Sequence, residues 1–570
     1  MRRPALVLIA SALVLASCSS GGSDASEEPR TTPVEQTTTT RADRPKASDA
    51  GQPGEGHTCD QGAAFDDVTV EPVDGVASDL TMTSPVDDTE IRLHWFPVEG
   101  ASKDDPAPTI LMGPGWSLAG DTSTDGAPLF GALSIKSMWA HGYNVLTWDP
   151  RGFGKSGGVA TVNDPAKEGQ DVRAMLDVVA AQPEAQTDGD GDPRAGMVGF
   201  SYGGGIQLTT ASIDCRVDAI VPGIAWNSLQ TSLYKADTAK TGWSKILTTT
   251  VDPKRLDPHI TSAAKTGLTD GTVSDEDVDW FISRGPGDEA IAKIDIPTLF
   301  IQGTVDTLFT LDEADRNVAV LQEHDVPTAQ LWFCGGHGTC LTDPGDPKRV
   351  AEASFAWLDH YVKGEDTELP KALSLVDQDG KQWTADSWPV EEGSPFTDTG
   401  SGTLRLQADG GSGGGDASSL DLDPNDPLAG LTASITPTKA ENAVDVPIDT
   451  RDADVLALGA PILSFTYTAD WTGDVAGTDG RIFAQLVDDE TGLVVGNQIT
   501  PVKIVVDGKV HSTDAHLEVI AHHVTPGHGL TLQLVAATTA YGIPTKPGTV
   551  DFRTIEVTVP TAEEQAVTQG

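Results

Sequence analysis

The feature that most constrains the fold is a Ser between two glycines in residues 199–203, Gly-Phe-Ser-Tyr-Gly. A short apolar stretch at 195–198 precedes it, and a segment that starts Gly-Gly-Ile-Gln-Leu follows it. This pattern predicts a strand, a sharp turn and a helix. The turn would force Ser201 into a strained backbone conformation, so the positions two residues away have to be Gly to avoid clashes. The same residues also fit a Gly-rich turn in which the Ser is there by chance.

The surrounding sequence places this turn in a layered sheet. Between about 66 and 365, short β-rich runs alternate with segments of helical length, which predicts a mostly parallel sheet covered on both faces. The runs are 90–96, 109–112, 143–148, 195–198, 217–222, 298–302 and 329–334. A Ser on a strand-to-helix turn of such a sheet is the nucleophile elbow of α/β-hydrolases. We therefore predict an α/β-hydrolase domain over 57–365, with a mainly helical cap at about 228–290, where the alternation breaks.

This fold requires an acid after a later strand and a His after the final one. Asp306 follows the strand-like run 296–303, and His337 follows the run 329–333. The order and spacing predict a triad in which His337 takes the proton from Ser201 and Asp306 orients the imidazole. Taken alone, Asp306 also fits a turn or a helix cap, and His337 also fits a solvated loop.

Two backbone N–H groups are predicted to form the oxyanion hole. One belongs to Tyr202, directly after the nucleophile, and the other to the loop after 109–112. Pro114 in that loop has no N–H, so Trp116 is the better candidate. The other interpretation of Trp116 is a packing residue in the pocket wall.

The C-terminal third has a different character. After about residue 366, Gly, Asp and Thr separate short alternating runs such as 461–469, 481–487 and 530–537. This pattern predicts an all-β sandwich or jelly roll over 366–570.

The N-terminus predicts export. Two arginines precede an apolar run at 5–15, which is typical of a signal peptide over 1–17 and is too short to span a bilayer. The run ends in Leu-Ala-Ser-Cys18, which resembles the lipobox of bacterial lipoproteins and implies acylation of Cys18; an ordinary signal peptide with a chance Cys is the alternative. Residues 18–56 are rich in Ser, Thr, Pro and Gly, which predicts a disordered tether. We thus expect an extracytoplasmic protein that is anchored to the bacterial cell membrane by lipid alone.

Four further cysteines suit an exported protein. Cys334 and Cys340 flank the loop of His337, and we predict that they pair. Cys59 with Cys215 follows only by elimination, and two free buried thiols are the alternative.

The net charge of the chain limits the macromolecules that it can bind. The chain has 37 basic and 85 acidic residues, a formal net charge of −48, and such a surface repels nucleic acid.

Asp188, Asp190 and Asp192 have the spacing of a calcium loop, but Pro193 and Gly199 stand where that loop needs Gly and Glu. Calcium and a solvated acidic turn both stay open, and the predicted hydrolase needs no metal or cofactor.

Several of these motifs together resemble one family. The segments 149–157 (Asp-Pro-Arg-Gly-Phe-Gly-Lys-Ser-Gly), 199–207 and 303–306, together with His337 and the Trp-containing join at 383–389, are similar to those of the X-Pro dipeptidyl-peptidase-like and cocaine-esterase-like serine hydrolases. The resemblance extends over about 66–560 and implies a hydrolase core, a helical cap and a jelly roll beside the active site. The chain differs from the family at Trp116, because several members have a Tyr at this point whose hydroxyl is an oxyanion donor. No pair of acids to bind a substrate's free amino terminus is recognisable either.

The sequence therefore predicts an exported serine hydrolase that cleaves an ester or amide bond in a small molecule or short peptide, X-Pro peptides included. The alternative is a catalytically inactive surface protein whose β-domain binds a glycan or another envelope component. The oligomeric state is left open.

Overall fold

The computed structural model describes residues 62–65, 70, 73, 75–125, 133–414, 429–450, 453–542 and 545–570. The predicted signal peptide, Cys18, the tether and Cys59 lie outside these residues. Within the described ranges, no helix has both the length and the apolar character needed to span a membrane.

Strands and helices alternate as predicted up to about residue 333, and most of the later elements are strands. The strands are β1 (Ser78–Thr83), β2 (Glu90–Phe96), β3 (Thr109–Gly113), β4 (Asn144–Trp148), β5 (Thr187–Gly189), β6 (Asp192–Pro193), β7 (Ala195–Phe200), β8 (Ala219–Gly223), β9 (Thr298–Gly303), β10 (Thr328–Phe333), β11 (Leu373–Val376), β12 (Gln382–Ala385), β13 (Phe396–Leu406), β14 (Ala443–Ile448), β15 (Val455–Gly459), β16 (Ile462–Trp471), β17 (Asp479–Asp488), β18 (Thr500–Val505), β19 (Val510–His516), β20 (Ile520–Val524), β21 (Leu530–Val535), β22 (Gly548–Val559) and β23 (Thr568–Gln569). The α-helices are α1 (Ile135–Ala140), α2 (Glu168–Ala180), α3 (Tyr202–Ala211), α4 (Leu229–Leu233), α5 (Thr241–Thr249), α6 (Pro258–Asp270), α7 (Asp275–Ile282), α8 (Gly287–Ile291), α9 (Leu311–Glu323), α10 (Arg349–Tyr361) and α11 (Ala429–Ile435).

A large sheet forms the centre of the hydrolase domain. Its strand order is β1-β2-β4-β3-β7-β8-β9-β10-β11-β12-β23. The strands from β4 to β11 pair in parallel, and the strands outside them pair antiparallel. The carboxyl ends of the parallel strands therefore meet at one edge, where a site is expected in such sheets.

Both faces of this sheet are covered, which is why its central strands are apolar on both sides. One core contains buried side chains of α2, α3 and α9, such as Met175, Leu208 and Val318. The core on the opposite face contains side chains of α1 and α10, such as Met138 and Phe355.

The segment between β8 and β9 forms the cap and contains helices α4 to α8. Local signals set the limits of these helices. Helix α6 begins after Asp257, whose side chain accepts from the N–H of His259, and ends at Gly271, whose φ of 74° suits Gly.

The C-terminal region is a β-sandwich. Two four-stranded sheets, β13-β22-β16-β19 and β14-β21-β17-β18, face each other. Their inward side chains, including Phe465, Ile555, Leu486 and Leu532, share one apolar core. The predicted fold class, an α/β-hydrolase with a helical cap and a C-terminal all-β domain, is confirmed.

The join between the two parts differs from the prediction of a β-domain that starts at 366. Strands β11 and β12 pair onto the hydrolase sheet, and β23 at the end of the chain pairs with β12. The hydrolase sheet therefore continues through Ala385. The sequence does not predict this extension, because a short antiparallel strand has the same residue pattern in either sheet.

Candidate active site

Ser201 lies in the tight turn between β7 and α3. Its backbone φ is 58° and its ψ is −116°, a combination that residues other than Gly rarely adopt. A Cβ atom at Gly203 would lie 2.1 Å from the carbonyl oxygen of Gly113 on β3, and one at Gly199 would lie 2.7 Å from the same oxygen. The turn therefore needs both glycines, because the neighbouring strand passes so close to it.

The imidazole of His337 lies beside the Ser201 side chain. Its Nε2 is 2.7 Å from the Ser201 Oγ. The aromatic rings of Trp243 and Phe309 pack edge-to-face against it, with centroids 5.7 and 5.1 Å away. These contacts leave the His337 side chain only 13% exposed, so the ring is held in one place.

Asp306 binds the other side of the imidazole. Its Oδ2 lies 2.8 Å from the Nδ1 of His337 and accepts from the backbone N–H of the same residue at 3.0 Å. Its Oδ1 accepts from the backbone N–H groups of Leu308 and Phe309, both at 2.9 Å. The carboxylate is fully buried. Because the Nδ1 of His337 donates to it, Nε2 presents a lone pair to the Ser201 hydroxyl.

The His337 loop packs tightly onto the loop that carries the acid. A Cβ atom at Gly338 would lie 1.7 Å from the carbonyl oxygen of Val305, and one at Gly336 would lie 2.6 Å from the Oδ2 of Asp306. The glycines around His337 thus allow close backbone approach, beyond the loop freedom that the sequence suggests.

The disulfide predicted between Cys334 and Cys340 is present, with the two Cα atoms 5.5 Å apart. It encloses the loop that contains His337. Cys215 is also a disulfide cysteine, and Cys59, its predicted partner, lies outside the described residues.

Two residues of the β-domain hold the loops of Asp306 and His337, and the sequence gives no sign of them. The Gln498 Nε2 donates to the backbone carbonyl of Asp306 at 2.9 Å. The neighbouring Asn497 donates through Nδ2 to the carbonyl of Thr339 at 2.8 Å. Both residues are buried, and they lie in the segment that connects β17 to β18. The sandwich thus fixes the loop of the acid and the loop of the His at once.

The cap adds a third anchor to the acid loop. The ammonium of Lys240 donates to the backbone carbonyl of Leu308 at 3.1 Å, while the N–H of Leu308 donates to Asp306. Burial lowers the pKa of Lys240 to about 8. The peptide groups around Leu308 therefore connect the cap to the carboxylate of Asp306.

The two predicted oxyanion residues flank Ser201. Tyr202 opens helix α3, whose first N–H groups have no partner within the helix and carry the positive end of its dipole. The indole Nε1 of Trp116 donates to the carbonyl of Leu247 in the cap at 3.0 Å. Since the indole is committed to that bond, any contribution from Trp116 to an oxyanion has to come from its backbone N–H, as the sequence predicts.

The motif at 149–157 supports the site from outside. The guanidinium of Arg151 is buried and binds Asp171 at 2.9 Å and Asp87 at 2.7 Å. Asp149 accepts instead from the backbone N–H of Gly120 at 2.9 Å. Although Asp149 and Arg151 are only two residues apart in sequence, each of them binds a different segment.

Two cavities meet at Ser201 and Trp116. The first lies under the cap and encloses about 940 Å³, its open mouth included. The second, on the His337 side, encloses about 1220 Å³ by the same measure. The first is lined largely by aromatic and aliphatic side chains, including Trp226, Leu233, Ile260, Phe281 and Phe309.

Charged side chains are missing from both linings. Among the described residues that line either cavity, none is acidic and none is basic apart from His337. This neutrality contrasts with a chain whose net charge is −48. Apart from His337, the described lining on both sides of Ser201 is therefore uncharged.

Three tryptophans in or just before the predicted cap, Trp226, Trp243 and Trp280, differ in their surroundings. Trp226 lines the cavity under the cap, and Trp243 lines the cavity beside His337. Trp280 lines neither of these cavities; the guanidinium of Arg284 stacks over its ring.

Of the three carboxylates with calcium-loop spacing, Asp188 already has a partner. Its Oδ1 accepts from the Nε of Arg194 at 2.9 Å. Among the described residues, a different set of possible metal ligands lies together: Asp377, Asp379 and His523.

This fold and arrangement define a serine hydrolase of the α/β class. Residues 90–339 match the model of the family described as X-Pro dipeptidyl-peptidase (S15 family). This match confirms the predicted resemblance over that segment. The chain is thus a hydrolase that acts on ester or peptide bonds. No sequence among the curated proteins matches it.

Two solved structures share the fold over most of the chain. A CocE/NonD family hydrolase from Staphylococcus aureus is 12% identical, with a TM-score of 0.59, and an α-amino acid ester hydrolase is 14% identical, with a TM-score of 0.62. Each alignment covers 88% of this chain and 100% of the other chain. At such identities the likeness concerns the fold.

Proposed function

We propose that this protein is an exported serine hydrolase that cleaves an ester or amide bond between neutral, mainly apolar groups. The observation that carries the proposal is the hydrogen-bonded chain from Asp306 through His337 to Ser201, at the junction of two uncharged cavities.

The mechanism follows from this geometry. The Ser201 hydroxyl attacks the substrate carbonyl while the Nε2 of His337 accepts its proton, and Asp306 stabilises the imidazolium that forms. The backbone N–H groups of Tyr202 and Trp116 stabilise the oxyanion. The imidazolium then protonates the leaving group, and water, activated by the same Nε2, hydrolyses the acyl-enzyme and releases Ser201.

The substrate class follows from the linings. A dipeptide with a free amino terminus would bring an ammonium into a cavity where no described lining residue can pair with it. Leaving a charged group buried without a partner costs about 3 kcal/mol or more. Esters and amides with uncharged acyl groups avoid this cost, and we assign them as the substrates.

A matched pair of substrates tests the assignment. We expect turnover of p-nitrophenyl butyrate to exceed that of Ala-Pro p-nitroanilide, and N-acetyl-Ala-Pro p-nitroanilide to exceed its free-amine counterpart in kcat/KM by on the order of 10²-fold. The two nitroanilides have the same leaving group, so their ratio reports only the amino terminus. Preferred cleavage of the free-amine peptide would contradict the neutral-substrate assignment.

The location is proposed from the N-terminal sequence. Cleavage before Cys18 and its acylation would anchor the enzyme, since two or more acyl chains give stable membrane attachment. Incorporation of labelled palmitate into the wild-type protein, but not into C18A, tests this proposal; equal labelling or none in both would refute it.

A further inference from the structure

A second group of polar side chains lies where the hydrolase sheet meets the β-domain. Asp377 and Asp379 are in the turn between β11 and β12, and His523 is on β20. One ligand atom from each of the three lies within 4.8 Å of the other two. The proposed reaction uses none of these residues.

His523 is the most informative member of the group. Its side chain is only 5% exposed, and its Nε2 lies 2.7 Å from a carboxylate oxygen of Asp454. Its Nδ1 has no hydrogen-bond partner among the described residues and faces the Oδ2 of Asp377 at 3.7 Å. If Nε2 donates to Asp454, the Nδ1 of a neutral ring presents a lone pair to the carboxylate of Asp377, and the two electron-rich atoms repel each other. A positive charge between Nδ1 and this carboxylate would remove the repulsion.

The carboxylate of Asp377 is held rigidly toward the same point. Its Oδ1 accepts from the backbone N–H groups of Asp379 and Lys381 at 2.9 and 3.0 Å. Its Oδ2 accepts from the indole of Trp383 at 2.8 Å. This side chain is also buried, and the bonds to its two oxygens keep Oδ2 on the side of His523.

A side chain of the β11–β12 turn fixes the two segments against each other. The Gln378 side chain donates to the carbonyl of His523 at 2.7 Å and accepts from its N–H at 3.0 Å. Asp379 is the exposed member, with its side chain 48% accessible and 3.5 Å from the ammonium of Lys381. The group thus has two buried members and one exposed member.

We propose that Asp377, Asp379 and His523 bind a divalent transition-metal ion of the Zn²⁺ class. Imidazole nitrogen combined with carboxylate oxygen suits such ions, whereas Ca²⁺ prefers oxygen ligands alone. The bond from the His523 Nε2 to Asp454 matches the usual outer contact of a metal-binding imidazole, and the Trp383 bond orients the carboxylate in the same way. Water would complete the coordination from the open side at Asp379.

The bound ion would join the β11–β12 turn to strand β20. The same turn touches the segment that follows the His337 loop, since the N–H of Asp343 donates to the carbonyl of Gln378 at 3.2 Å. The role assigned to the metal is therefore structural: it stabilises the contact between the two domains and takes no part in bond cleavage.

Metal titration of the full chain, tag-free and treated with EDTA, tests the proposal. We expect one equivalent of Co²⁺ to bind with a ligand-field absorption spectrum, Zn²⁺ to displace it, and either ion to raise the thermal midpoint. Asp379→Asn is expected to weaken Zn²⁺ binding at least about tenfold, and its exposed position keeps the fold intact. Asp474→Asn, at an exposed aspartate outside the group, is the matched control and should bind like the wild type.

Three results would overturn the proposal. The first is the absence of saturable Co²⁺ and Zn²⁺ binding, the second is binding that D379N leaves unchanged, and the third comes from NMR. A nitrogen NMR spectrum of metal-free protein that shows both ring nitrogens of His523 protonated at neutral pH, with no change on adding Zn²⁺, would assign the positive charge to an imidazolium instead.

Discussion

Replacing Ser201 with Ala is expected to reduce the turnover of p-nitrophenyl butyrate by roughly 10⁶-fold. The reason is that the nucleophile and its bond to the Nε2 of His337 are lost together. The measurement is kcat for the purified variant, at an enzyme concentration high enough to detect the residual rate.

Folding has to be separated from chemistry in this experiment. S201A should keep the wild-type circular dichroism spectrum and a similar thermal midpoint, because it removes one partly exposed hydroxyl. Ser212→Ala, at the end of the same helix α3, removes a hydroxyl that donates to the carbonyl of Thr209 and should retain full activity. Turnover by S201A within tenfold of the wild type would rule out Ser201 as the nucleophile.

Replacing Asp306 with Asn is expected to reduce kcat by about 10⁴-fold. Four N–H donors converge on its two oxygens. An amide offers only one accepting oxygen, so its NH₂ group would face N–H donors in either orientation. The imidazole of His337 would then flip or change tautomer, and Nε2 would no longer accept the proton of Ser201.

A graded variant distinguishes loss of the carboxylate from loss of loop position. Gln498→Ala keeps the Asp306 side chain and removes only the bond to its backbone carbonyl. We expect a fall in kcat of at most about 10²-fold, with KM little changed, since a misplacement near 1 Å has an effect of that size. If D306N loses no more activity than Q498A, Asp306 does not have the orienting role proposed for it.

The sequence was sufficient to predict the hydrolase core because its signals are local. A Ser between two glycines, and an Asp and a His at strand ends, are each visible within a few residues. The strand order then brings them to one edge of the sheet. The same is true of Cys334 and Cys340, whose short separation makes their pairing easy to infer.

The missed features depend on contacts between distant segments. Asn497 and Gln498 lie more than 150 residues from the loops that they hold, and nothing near them in sequence indicates the contact. Arg151 pairs with Asp87 and Asp171 rather than with Asp149, because the course of the loop decides which carboxylate it meets. The extension of the large sheet through β11, β12 and β23 was missed for a related reason, since the pairing partner of a short strand is set by the tertiary fold.

The most direct test of the central claim is reaction with a fluorophosphonate, followed by mass spectrometry of the labelled peptide. A functional triad predicts one label per chain on Ser201 in the folded protein, with none on S201A and none after unfolding. Folded protein that takes up no label at Ser201 would contradict the account and favour an inactive binding protein of the same fold.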